Sequence, residues 1–144
     1  MAKFRFRLQP LIRVKELQEK KVERELAAIK SRILQEQAHL DDLRTEQDKL
    51  LSSTPMRGKV RAADMALHQD YIQKISTEIH FENSRIAVLT QNETKKIDEV
   101  LDVKKDREAI EHLKEKRLEE YRKELEKKEQ VLIDAVAQRL SGQQ

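Results

Sequence analysis

The chain has no cysteine and no tryptophan, only two glycines and two prolines in 144 residues, and aromatic side chains make up 3% of it. Each scarcity removes a class of protein. Without cysteine there is no disulfide scaffold and no thiolate metal site, which fits a reducing compartment. Two glycines as far apart as Gly58 and Gly142 cannot build a phosphate-cradling loop, so ATP is not expected to bind. No apolar run approaches the roughly 20 residues of a membrane span, and the opening Met1-Ala2-Lys3-Phe4-Arg5-Phe6-Arg7 lacks an apolar signal region. A cytosolic protein is the expectation.

What is abundant is charge. Charged residues account for 40% of the chain, against roughly 25% in an ordinary globular domain, which leaves too few large apolar side chains for a compact core. The net charge is only +3, from 30 basic and 27 acidic residues, so the balance itself does not ask for nucleic acid. Lys3, Arg5, Arg7, Arg13 and Lys15 nonetheless make the N-terminal end basic.

The apolar residues that remain are spaced by three and four, which a disordered chain would have no reason to maintain. Positions 8, 12, 15, 19, 22, 26, 29, 33, 36, 40, 43, 47 and 50 form one helical stripe, apolar at nine of thirteen places. A stripe sustained over six heptads predicts a coiled-coil helix. Pro10 suits a first helical turn, where its missing N–H has no partner to lose, so the helix is expected over about 8–51. A second stripe runs through Ile72, Ile75, Ile79, Glu82, Ile86, Leu89, Glu93, Lys96, Val100 and Val103, and then shifts register through Ile110, Leu113, Leu118, Tyr121, Leu125 and Leu132. It predicts one long helix over about 59–140.

Between the stripes lies Ser52-Ser53-Thr54-Pro55-Met56-Arg57-Gly58, with one of the two prolines and one of the two glycines, and this is the expected turn, 52–58. The predicted fold is all-α: a long antiparallel two-helix coiled-coil hairpin whose second helix overhangs. Folding at residue 55 sets residue i against residue 110 − i, so that Leu8 meets Val100 and Val103. It also sets Lys15 and Glu19 against Glu93 and Lys96, a mixed-charge layer expected to hold the register. Helices of about 63 Å and 120 Å at 1.5 Å per residue leave Glu108–Leu140 without a partner in the chain.

No catalytic chemistry is visible. His39, His68, His80 and His112 form no i, i+4 pair or HExxH motif, so no metal is expected. The carboxylates lie on exposed helix faces with no cleft to desolvate one, and an enzyme is not expected. The basic residues of 104–128 alternate with acids that would repel phosphates, so nucleic acid is not an expected partner. Aromatic residues off the stripe, Tyr71 and Phe81, are candidates for partner contact, as is the overhanging stripe Leu113, Leu118, Tyr121, Leu125.

The block Phe4-Arg5-Phe6-Arg7-Leu8-Gln9-Pro10-Leu11-Ile12-Arg13-Val14-Lys15-Glu16 resembles the opening of the flagellar export protein family FliJ. Residues 105–128, with Leu113-Lys114-Glu115-Lys116-Arg117-Leu118-Glu119-Glu120-Tyr121, are similar to that family's second helix, and Ala137-Gln138-Arg139-Leu140 to its C-terminal ending. The resemblance implies a non-enzymatic stalk of the flagellar type III export apparatus, without cofactors, peripheral to the inner membrane at the flagellar base. Its implied partners are the FliI-like export ATPase ring, the FlhA-like gate domain and substrate chaperones. Under that implication the open end, Phe4, Arg5, Phe6, Arg7, Leu113, Leu118, Tyr121 and Leu125, would meet the ATPase. Leu43, Leu50, Tyr71, Ile75 and Phe81, nearer the tip, would meet the gate. A structural coiled-coil adaptor, or the stalk of a virulence secretion system, is the alternative that the residues leave open.

Overall fold

A computed structural model describes residues 3–53 and 61–143 of the chain. They form two helices packed against each other, α1 over Gln9–Ser52 (44 residues) and α2 over Ala62–Gly142 (81 residues), and no strand occurs among the described residues. The all-α hairpin read from the apolar stripes is therefore the observed fold. Of the expected turn, Thr54–Gly58 lie outside the described residues.

The helix ends follow local chemistry. Pro10 sits in the first turn of α1, which is entered through a hydrogen bond from the Gln9 N–H to the Phe6 carbonyl at 3.1 Å. At the other end the Ser52 and Ser53 hydroxyls donate to the carbonyls of Lys49 and Leu50 at 3.0 and 3.2 Å. The Lys49 carbonyl also receives the Ser53 amide at 3.0 Å, and the hydroxyls add donors at the helix end, where intrahelical amides run out. Lys49 in the last turn of α1, and Asp64 and Arg139 in the first and last turns of α2, oppose the helix dipole with the favourable sign.

Packing divides the chain into two compact units. One consists of residues 21–100 and the other of residues 1–20 together with 101–144. The core of the first is Val22, Ile33, Leu40, Leu43 and Ile75; the second buries Ile12 and Val103. Every one of the thirteen α1-stripe positions, and every α2-stripe position from Ile72 to Val103, is buried or half-buried. Helical periodicity of 3.5 to 3.6 is thus sufficient to name the inward face of each helix.

The expected pairing of the two faces is corrected. Glu19 pairs with Arg107 and Lys15 with Asp106, while Lys96 pairs with Glu25. Relative to a fold centred on residue 55, these three α1 residues meet partners 11 to 16 residues, about three to four and a half helical turns, further along α2. α2 starts only at Ala62, so the reversal is centred later than the Pro55 position suggested.

The expected free stretch Glu108–Leu140 is corrected too. Ile110, Glu111, Lys114, Leu118 and Tyr121 are half-buried, and full exposure begins only at Arg122. The later reversal slides α1 along α2. In addition, residues 3–6 are not helical, and a non-helical chain spans up to about 3.3 Å per residue against 1.5 Å for helix.

Ile75 is 3% exposed and Leu132 66%. Ile75→Ala should therefore cost about 2–4 kcal/mol of stability, whereas Leu132→Ala should stay within about 0.5 kcal/mol. Urea denaturation followed by circular dichroism at 222 nm distinguishes the two.

Candidate functional site

In the unit formed by residues 1–20 and 101–144, the N-terminal segment lies along α2. The Phe4 and Tyr121 rings stand 5.5 Å apart at a tilt of 44°. They border a groove of about 500 Å³ lined by Phe6, Arg7, Leu8, Leu113 and Arg117 among others. The alternation of Phe4 and Phe6 with Arg5 and Arg7 has a simple consequence: the rings are half-buried and the guanidinium groups exposed. An apolar trough results, with Arg5, Arg7 and Arg117 and the carboxylates of Glu120 and Glu124 along its lip.

This groove is held in place by a polar network along the same seam. The Lys114 ammonium donates to the Gln9 amide oxygen at 2.7 Å. Arg107 donates from Nε to Glu19 at 2.5 Å and from a terminal nitrogen to Glu111 at 2.8 Å. Those two carboxylates, Glu19 first and Glu111 second, hold the Arg107 guanidinium above its ordinary value, against the opposing effect of desolvation. The stripe was expected to pass through Leu113 here, but Leu113 is 39% exposed while Arg107 and Lys114 occupy the inward face. Long stems buried along the seam with charged heads at its edge explain the exchange.

Beyond Tyr121 the stripe continues without cover. Leu125, Val131, Leu132, Ile133, Val136 and Leu140 are all exposed. Of the ATPase-end residues expected from the sequence, Phe4, Phe6, Leu118 and Tyr121 are thus half-buried within the unit. Arg5, Arg7, Leu113 and Leu125 face solvent.

The unit of residues 21–100 carries a second surface. Phe81 and Val88, 60% and 56% exposed, lie along one side of α2 and line a groove of about 370 Å³ with Arg32, Glu36, Ser84, Arg85 and Leu89. Tyr71 is exposed, and its hydroxyl donates to Glu46 at 2.7 Å, an acceptor that holds the phenol above its ordinary value. Leu43 and Ile75, expected among the gate-facing residues, are instead core residues packed between the helices, and Leu50 is half-buried. Only Tyr71 and Phe81 of that group are available to a partner without opening the seam.

Of the expected mixed-charge layer, Lys96 bonds Glu25 at 2.7 Å and Glu99 at 2.9 Å. The ammonium lowers the Glu25 carboxyl below its ordinary value, and Glu25 in turn raises Lys96. Lys15 and Glu19 belong to the other unit, through Asp106 and Arg107, and Glu93 is half-buried. Charged layers do interrupt the seam, but with partners other than those expected.

Among the described residues no cluster of three or more His, Asp or Glu side chains is arranged to hold a metal ion, and no helix is long and apolar enough to cross a membrane. The chain matches the model of the family described as "Flagellar FliJ protein" over residues 4–144. The chain belongs to the FliJ family. It is accordingly a component of flagellar type III protein export. Neither the curated proteins nor the solved structures compared with it gave a match.

The Glu19–Arg107 pair offers the cleanest test of the seam's register. Glu19→Arg and Arg107→Glu should each lower the melting temperature, and the double reversal should recover part of the loss. The corresponding double reversal of Lys15 and Glu93 should show no recovery beyond the sum of its single effects, as a double-mutant cycle of thermal melts would show.

Proposed function

We propose that this FliJ-family chain works as a non-enzymatic stalk that couples the export ATPase ring to the export gate. The observation that carries the reading is the tail of α2. Residues 122–143 are exposed throughout, yet keep Leu125, Leu132, Val136 and Leu140 on the face that further up the helix packs against α1 and the N-terminal segment. A soluble helix gains nothing from exposing such a stripe, and an apolar stripe at i, i+3/i+4, i+7 spacing is what a helix lays into a partner's groove. The Phe4–Tyr121 groove, with Arg5, Arg7 and Arg117 at its edge, adjoins that stripe in the same unit and supplies cations to the contact.

The ATPase is the partner assigned to this unit. The gate domain is assigned to the Phe81–Val88 surface of the other unit, with Tyr71. Aromatic anchors in shallow apolar grooves tend to dominate binding energy, and these are the exposed side chains near the positions that the family resemblance points to. Chaperone escort and attachment at the inner membrane belong to the same reading through those two partners. Catalysis forms no part of it.

Truncation after Tyr121 should abolish capture of the purified export ATPase while leaving the chain folded, since nothing beyond that residue is buried. Retained ATPase binding by the truncated chain would refute the assignment. Phe81→Ala combined with Val88→Ser should weaken binding to the purified gate domain about tenfold or more and leave ATPase binding unchanged. Titration calorimetry measures both.

A further inference from the structure

The most buried side chain of the unit formed by residues 21–100 is a carboxyl group. Glu82 is 2% exposed and occupies a seam position of α2. Its Oε1 has no hydrogen-bond donor in reach, and its other oxygen receives only a long bond, 3.4 Å, from Arg85. Across the seam Glu36 of α1 lines the same groove as Phe81 and Arg85, the residues on either side of Glu82 on α2, and its own cation, Arg32, stands 3.9 Å away. Both arginine side chains are 68% exposed, so their charges are largely spent on water. Two ionised carboxylates in this position would repel each other with little solvent between them, and one oxygen would stay desolvated and unbonded.

We propose that Glu36 and Glu82 hold one shared proton between α1 and α2, and that this proton locks the register of the two helices in the unit of residues 21–100. With the proton in place the orphan acceptor becomes a donor, and the pair becomes a carboxyl–carboxylate hydrogen bond of the charge-assisted kind. Without it, the same residues push the helices apart at the point where the seam is most enclosed.

The surrounding charges agree. The Glu82 carboxyl is raised above the ordinary glutamate value, first by the Glu36 carboxyl set against it, then by burial, then by the Glu36 charge; His39 of α1 and Arg85 of α2 pull it down and do not prevail. A carboxyl raised in the folded state binds more proton folded than unfolded. Its contribution is therefore complete below the unfolded value of about 4.5 and is lost as pH rises through the folded value. Across that window the folding equilibrium constant should fall by up to about tenfold per pH unit, the signature of one proton.

The decisive measurement uses the full-length chain labelled with ¹³C at glutamate. The Glu82 carboxyl resonance, assigned by through-bond correlation to its own backbone, should titrate above pH 4.5. Urea unfolding should show stability declining as pH rises from about 4.5 through the folded value of Glu82 in the unaltered chain, and a flat profile over the same interval in Glu82→Gln, whose amide supplies the missing donor to Glu36 without titrating. An imidazolium near two carboxylates would give a slope of the same sign, so His39→Gln must keep the slope. A Glu82 resonance that titrates at the ordinary glutamate value, a slope that survives in Glu82→Gln, or one that vanishes in His39→Gln overturns the proposal. The resonance titration reads the native chain and decides the matter even should a variant fail to fold.

Discussion

Everything in this molecule depends on how narrow its apolar stripe is. With 40% of residues charged, each helix has a single row of aliphatic side chains to bury, and along the seam the two rows cover each other. The aliphatic residues supply the driving force but little discrimination. Isoleucine, leucine and valine at every third or fourth position look much the same after a slip of one heptad. Discrimination falls to the polar residues that interrupt the row: Arg107 with Glu19, Lys96 with Glu25, and Glu82 with Glu36. The first two place opposite charges at the half-exposed edge of the seam, where a mismatch would leave each charge in water at small cost. The third buries like groups, and its register is enforced by the penalty of any other neighbour for Glu82.

These layers bound stability from both sides of the ordinary glutamate value of about 4.5. Glu25 is held below its ordinary value by Lys96, so its contribution is present above a pH of about 4.5 and disappears as pH falls through the lower folded value. Glu82 behaves in the opposite sense. With respect to these two groups the chain is most secure near pH 4.5, between the two losses, and its net charge of +3 plays little part in that.

The fold and the inward face of each helix were legible in the amino-acid order, because periodicity is a local property and survives any error in how distant segments meet. Ile33, Leu40, Ile75 and Val103 were found on the stripe by counting, and all four are buried. Register was not legible for the reason that makes the stripe recognisable: a repeating pattern is self-similar under translation, and the Pro55 and Gly58 signals mark that the chain turns without marking the residue at which it starts back. Glu36 and Glu82 both stood on the predicted stripes, yet folding at residue 55 set them apart, and the one titratable pair of consequence went unseen. The exchange of Leu113 for Arg107 and Lys114 escaped for another reason. Hydrophobic counting treats arginine and lysine as polar, while their stems pack as aliphatic chains. The surface candidates fared unevenly: Phe81 and Tyr71, chosen for lying off the stripe, are exposed, whereas Leu43 and Ile75, chosen from it, are core.

A stalk that relays a state between two partners needs an element with two arrangements that both partners can bias. An uninterrupted helix such as α2 can move as a rod, but rigid displacement alone sets no threshold and stores no state. The seam is different, because its aliphatic layers would tolerate translation by a heptad while its polar layers would not, so that any alternative register would be separated from this one by the cost of re-pairing charges. Glu36 lines the same groove as Phe81 and Val88, which means that a partner seated there reaches the edge of the carboxyl pair. A ligand that approaches Glu36 with a cation stabilises the unprotonated pair, and one that covers it with apolar surface stabilises the protonated pair. The occupant of that groove and the register of the helices are then two ends of one equilibrium, and the exposed phenylalanine and the buried glutamate next to it in sequence take part in a single device.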